Sequence, residues 1–278
     1  MTYQIRKYMN LGMLVLLIVA TLVAVVPLFG VLWYVMSNGI TALNLSFFIH
    51  LPKPLGMPGG GMGNAILGTL IMVGIGGLIG IPIGILGAVY LTEYDRVSWF
   101  STAVRFTTDV LTGIPSIIIG IVVYTSLVLK TKHFSAIAGG VALAVIIIPQ
   151  IIRATEEMLK LVPHSIREAA AALGIPQWRT IMQVVIPSAA KGIVTGAMLG
   201  IARIAGETAP LMFTALGNTY WAHSINEPIA ALPLQIYQYA ISPYESWHRQ
   251  AWAGSLVLIG LVLVLSITAR LAFRSKYK

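Results

Sequence analysis

Apolar runs long enough to cross a bilayer recur six times along the chain, near 11–36, 64–91, 106–129, 135–152, 192–217 and 251–273. A helical span needs roughly 20 mostly apolar residues. The pattern therefore predicts an all-α integral membrane protein with six transmembrane helices, built as a single domain over 1–278. More polar segments separate the spans. Segment 37–63 contains "HLPKPLGMPGGGMGN", whose proline and glycine density predicts an exposed loop. The second span carries Gly76, Gly80, Gly84 and Ala88 at intervals of four. That spacing puts small residues on one helix face and predicts a close-packed neighbour there.

Composition agrees with the pattern: 57% of residues are hydrophobic and 10% charged, with a mean hydropathy of +0.86. Soluble domains carry about a quarter charged residues. The first apolar run exceeds a signal-peptide core, and "VVPLFGVLWYVM" offers no small-x-small cleavage site, so it is expected to be a retained helix. A net charge of +9 first suggests a polyanionic partner, but loops on the cytoplasmic side collect Lys and Arg. With the N-terminus inside, that face holds Arg6, Lys7, Arg96, Arg105, Arg153, Lys160, Arg167, Arg179, Lys191, Arg270, Arg274, Lys276 and Lys278. Only Lys53, Lys130, Lys132 and Arg249 fall outside, and Arg203 completes the set. Orientation accounts for the surplus charge, with both termini cytoplasmic and no nucleic acid implied.

No cysteine is present, which removes disulfides, thiol nucleophiles and thiolate metal sites. The five histidines show no ligand spacing, so neither a metal nor a cofactor is expected. No G-x-x-x-x-G-K-[ST] occurs, so the chain is not expected to bind ATP or to act as an enzyme by itself. The external segment 218–250 is rich in Tyr220, Trp221, Tyr237, Tyr239, Tyr244 and Trp247. Two readings stay open for it: an aromatic belt at the membrane interface, and a docking surface for an external partner.

The cytoplasmic stretch 153–186 reads "RATEEMLKLVPHSIREAAAALGIPQWRTIMQVVI". Ser165 and Glu168 have the spacing of a capping box, Gly174 supplies a left-handed stop, and Pro176 stands where a second helix begins. Ile166, Ala169, Ala170 and Leu173 form one shallow apolar face. A helix lying on the membrane would fit this periodicity as well as a docking element does.

Charge inside the fifth span is costly, about 2.5–3.5 kcal/mol for one Arg or Asp at mid-membrane. Arg203 and Glu207 are nevertheless both there, spaced to pair on one face. A structural bridge between helices is one reading; an anion-handling site on a translocation path is the favoured one. Guanidinium is planar, permanently charged and forked, which suits oxyanions and carboxylates. Glu207 would keep Arg203 from holding an anion too tightly, and conduction requires weak binding. Thr208 belongs to the same candidate path. Gly200, Gly206 and Pro210 interrupt the helix and suit a gate, because proline removes a hydrogen bond to residue 206 and kinks the chain. Asp109, one turn from Arg105, is expected to pair with it, and Arg153 reads as an interface anchor.

"EAA", three residues, Gly174, nine residues, then "VVIP" resembles the EAA signature of bacterial ABC importer permeases, with Val184 and Ile186 as mild departures. In that family the loop is the coupling helix, which implies ATPase docking through Glu168, Ala169, Ala170 and Gly174. "IARIAGETAPLMFTALGN", "MLKLVPHSIREAAAALG" and "YLTEYDRVSW" together are similar to the A-type permeases of phosphate-specific (Pst) ABC importers. The resemblance implies a type I importer fold, phosphate as cargo, a C-type permease as heterodimer partner, two cytoplasmic ATPase subunits and an external phosphate-binding protein. It also implies residence in a bacterial or archaeal cell membrane. A permease for another oxyanion shares the whole architecture, and a secondary anion transporter using the Arg203–Glu207 pair is the competitor from another class.

Overall fold

The computed structural model describes residues 3–54, 57, 59–95 and 97–274; Arg96, Lys276 and Lys278 lie outside them. Helix α1 (Tyr3–Gly39) is followed by the short α2 (Leu45–Ile49), then α3 (Gly63–Val89), which runs into a π-turn over Tyr90–Tyr94. Next come α4 (Trp99–Gly113), α5 (Ser116–Val123), a π-turn over Tyr124–Val128 and α6 (Leu129–Thr131). Helix α7 (Ala136–Lys160) leads to the short pair α8 (His164–Ala172) and α9 (Gln177–Thr180). A third π-turn, Ile181–Val185, opens α10 (Ile186–Ala205), followed by α11 (Ala209–Thr214), α12 (Leu232–Ala240) and α13 (Glu245–Arg274). Among the described residues the only β-pairing is an isolated bridge, Leu216 to Ile229.

Five helices are long and apolar enough to cross a membrane, and six spans result when the bent pair α4 and α5–α6 counts as one. The six-span, all-α architecture holds. The third span differs from the straight helix expected over 106–129, because it folds back by 107° between Gly113 and Ser116. Local chemistry explains the bend: Ile114 precedes Pro115 and takes ψ 132°, the extended conformation that a residue before proline prefers.

The interior is organised around α7. Gly76, Gly80 and Gly84 of α3 face Leu143, Ile147 and Ile151 of α7, and a Cβ on Gly84 would sit 2.5 Å from Ile151 Cβ. The interval-of-four pattern thus has its close-packed neighbour. Helix α10 uses Gly196 and Gly200 in the same way, a Cβ on Gly200 meeting Ile147 at 2.8 Å. Met72, Leu143, Ile147, Ile151, Ile204 and Leu211 are buried at this junction. Helix α1, by contrast, is exposed along almost its whole length and rests on α13.

The segments expected to be loops carry more structure than their composition suggests. Within 37–63, Asn44 caps α2 by accepting from Phe47 N–H at 2.9 Å, and Phe47 and Met62 are buried. Buried polar contacts then fasten this end: Asn64 Nδ2 donates to Asn218 O at 2.7 Å, Leu232 N–H to Thr69 Oγ1 at 2.7 Å, and Gln250 Nε2 to Gly59 O at 2.6 Å. Within 218–250, Tyr239 stacks on Trp247 with centroids 4.3 Å apart. These rings, with Lys53, Tyr220 and Gln235, line a cavity of about 660 Å³.

Candidate functional site

The fifth span ends earlier than its hydropathy suggests. Helix α10 stops at Ala205, where Gly206 N–H donates to Arg203 O at 3.1 Å and Glu207 N–H to Ile204 O at 3.3 Å. Thr208 then sits at φ −110°, and Pro210 opens α11 within its first turn. A proline there lacks a hydrogen that would have no helical partner anyway, so it starts a helix at no cost. The kinked continuous helix expected from Gly206 and Pro210 is therefore two helices with a three-residue break. Beyond α11, Leu216 and Gly217 both take positive φ, 61° and 92°, and turn the chain away.

Arg203 stands in the last turn of α10, and Glu207 lies in the break itself. Their Nε and Oε1 atoms lie 3.7 Å apart, an ion contact longer than a hydrogen bond. The Arg203 side chain is 42% exposed and that of Glu207 16%. Among the described residues the Arg203 guanidinium has no hydrogen-bond partner, so its forked donors remain available on an exposed face. Across from the break, Gly120 of α5 lets Pro210 approach so closely that a Cβ would meet Pro210 Cα at 2.6 Å. The two broken spans thus touch each other.

Further charges form a ladder between α4 and α7. Arg105 Nε donates to Glu156 Oε1 at 2.9 Å, Lys160 Nζ reaches the same oxygen at 2.8 Å, and Asp109 pairs with Arg153. Two expectations change here. Asp109 does not pair with Arg105 one turn away, since both project from α4 toward α7. Arg153 is a cross-helix partner as well as a residue near the helix end. Glu156, buried with a side chain only 2% exposed, escaped notice in the sequence because it lies in "RATEEMLK", a stretch read as loop. Its signal was the Glu156–Lys160 spacing of four, which fits a helix.

Below the ladder, α8 and α9 form the projecting element. Gly174 takes φ +72°, the left-handed stop that the sequence required, and a Cβ there would touch nothing. The capping box is absent: α8 begins at His164 with Pro163 as its cap, which makes Ser165 the second residue of the helix. Glu168 is 76% exposed and sits 3.8 Å from the His164 ring. Leu173, 79% exposed, and Ala169 point outward, while Ala170 and Ile166 turn toward the body. What fixes the element is an ion pair that spacing did not disclose: Arg167 Nη2 and Nε hold the two Glu93 oxygens at 2.6 and 2.9 Å. Next to Glu93, Asp95 accepts hydrogen bonds from Ser98, which hold its carboxyl below the ordinary carboxylate range.

Comparison with known proteins bears on the family and the fold. Residues 80–275 match the family described as "Binding-protein-dependent transport system inner membrane component". The chain is 47% identical over 276 residues to the phosphate transport system permease protein PstA of Pasteurella multocida, covering 99% of this chain and 98% of that protein. It is 46% identical to the Yersinia pestis protein of the same name, covering 90% and 86%. Among solved structures, a bacterial alginate ABC transporter chain aligns with TM-score 0.65 at 16% identity, covering 95% of this chain and 93% of that one. The MetNI methionine ABC transporter, in an inward-facing conformation, gives 0.62 at 22%, covering 77% and 95%.

Proposed function

This chain belongs to the binding-protein-dependent transport system inner membrane component family, as a permease subunit of a phosphate ABC importer, and from that premise we propose that Arg203 handles phosphate on the translocation path. The observation that carries the reading is the Arg203 guanidinium itself, 42% exposed beside a helix break and held only by a 3.7 Å ion contact. A fork with free donors suits a tetrahedral oxyanion. Glu207 limits how tightly Arg203 binds and can accept a hydrogen bond from a phosphate that still carries a proton. Thr208, in the break, lines the same path, and Gly206 and Pro210 form the ends of two helices that move relative to each other as a gate.

ATP is hydrolysed on a separate chain, which docks through Glu168, Ala169, Ala170 and the Gly174 elbow. A C-type permease completes the pathway as heterodimer partner, two ATPase subunits bind from the cytoplasm, and an external phosphate-binding protein delivers the cargo. The protein resides in the cell membrane with both termini cytoplasmic. The aromatic residues of 218–250 and the adjoining cavity favour a contact surface for the delivering protein.

Uptake of phosphate by the assembled transporter tests the reading. Arg203→Gln lowers it by about a hundredfold or more, the scale of losing one preorganised donor where negative charge must be stabilised. Arg203→Lys keeps the charge and loses the fork, for a partial loss of about tenfold. Wild-type uptake by an assembled Arg203→Gln transporter would remove Arg203 from the path.

A further inference from the structure

The cytoplasmic end of α3 is gripped from three sides. Its π-turn, Tyr90–Tyr94, presents the Glu93 carboxylate to Arg167 of α8, the Glu93 carbonyl to Gln177 Nε2 of α9 at 2.7 Å, and the Leu91 carbonyl to Arg105 Nη2 of α4 at 2.7 Å. Arg167 is fastened in turn to the end of α7, its Nη1 donating to Val162 O at 2.7 Å and its Nη2 to Leu159 O at 3.1 Å. The ion pair is well shielded, with the Arg167 side chain 13% exposed and that of Glu93 3%.

Beside this pair, Ile166 of α8 packs against the buried cluster of Val89, Leu159, Val162 and Ile181. A cavity of about 580 Å³ lies between the α8–α9 element and the body, lined by Glu93, Tyr94, His164, Arg167, Ile175 and Gln177. The projecting element is thus joined to the end of α3 by directed polar bonds beside the apolar contact of Ile166, while Leu173 and Ala169 face outward. A link of that kind transmits displacement. Separating a shielded ion pair leaves an uncompensated charge, so the two side chains move together.

We propose that the Arg167–Glu93 pair is the strut through which movement of the docked α8 helix enters the transmembrane body. The route is physically continuous. Displacing α8 moves Arg167 and with it the π-turn, and the Leu91 carbonyl in that turn holds Arg105 on α4. Helix α4 leads into the 107° bend, and α5 beyond it touches Pro210 next to the Arg203–Glu207 break. Short π-turns recur at functional sites in helices, and this one joins the two moving parts. Glu93 and Arg167 are positioning residues that never touch the cargo. The inference rests on the reading of α8 as the ATPase-docking helix. Failure of that reading would show as ATPase binding indifferent to the Gly174 elbow, whereas failure of the strut shows in the coupling ratio.

The test is the number of phosphate ions imported per ATP hydrolysed, measured on the complete transporter in proteoliposomes for Glu93→Gln, Arg167→Gln, Arg167→Lys and the exchanged pair Glu93→Arg with Arg167→Glu. The single neutral variants keep the ATPase bound and still hydrolyse ATP, but import per ATP falls by about tenfold, within the range of measured coupling between sites. Arg167→Lys, which keeps charge without the fork, gives an intermediate ratio, and the exchanged pair recovers part of it. A role confined to holding the fold predicts that uptake and hydrolysis fall in parallel with complex yield, leaving the ratio unchanged; that result overturns the proposal. Should the neutral variants fail to assemble, a wild-type ratio in Arg167→Lys overturns it equally.

Discussion

Three arginines in this molecule illustrate how placement decides what one side chain can do. Arg167 spends its donors on a carboxylate and on main-chain carbonyls, and Arg105 is bound to Glu156 and to the Leu91 carbonyl. Arg203 spends none in hydrogen bonds among the described residues and keeps only a long ion contact. The first two link neighbouring helices, and the third keeps its donors free of hydrogen bonds among the described residues. Glu156 offers the corresponding test of a structural charge. It is buried, shared between Arg105 and Lys160, and its Oε2 has no hydrogen-bond partner among the described residues. Glu156→Gln should lower the stability of the detergent-solubilised transporter by about 1–3 kcal/mol, because both cations keep partial access to water and the penalty of an unpaired buried charge is correspondingly discounted. Thermal unfolding followed by intrinsic fluorescence measures this, and an unchanged melting temperature would show that the ladder contributes nothing. Arg203 and Glu207 were legible in the sequence since charge stands out in an apolar run. The pairings of Arg105, Asp109, Arg153 and Glu156 were not, because spacing along one helix cannot reveal which neighbouring helix a side chain meets.

At the scale of elements, interruptions position the chemistry. Two spans are broken, one at Gly113–Pro115 and one at Gly206–Thr208, and the broken ends meet where Gly120 admits Pro210. Composition marked glycine and proline at both places, but hydropathy runs straight through them, and so the sequence read each span as a single helix. The small-residue stripe of α3 was legible, as its period is a helical one; its partner α7 was not, since nothing in the stripe names the opposing face. In the projecting element the Gly174 elbow was legible from its chemistry. The capping box misled because Pro163 already caps the helix two residues earlier. Gly174 takes φ +72° in open space, so the cost of a side chain there is purely that of the backbone, about 1–2 kcal/mol for an ordinary residue. Gly174→Val should reorient the elbow and reduce ATPase co-purification severalfold, whereas Gly174→Asn, which tolerates the left-handed region, should retain it. Equal co-purification of both variants would mean that the elbow does not set the docking geometry.

The whole molecule is a helical permease subunit whose α1 lies exposed and whose charged clusters gather toward one end of the helical body. Thirteen of the eighteen basic residues fall on the face that the charge rule assigns to the cytoplasm. A reporter active only outside the membrane should therefore respond when fused at Gly60 or Asn226 and stay silent at Pro163, and the reverse pattern would invert the orientation. The same architecture connects the α8–α9 element to the Arg203–Glu207 break directly through α10 and indirectly through α5, which touches Pro210. The central claim, that Arg203 serves the anion and not the scaffold, is tested most directly by phosphate uptake in the double variant Arg203→Gln, Glu207→Gln, measured beside both single variants with detergent stability recorded for each. Removing both charges leaves no unpaired partner, so assembly and stability should stay near wild type while uptake remains as low as in Arg203→Gln alone. Uptake restored to the wild-type level in the double variant would contradict the account and make the pair a structural bridge.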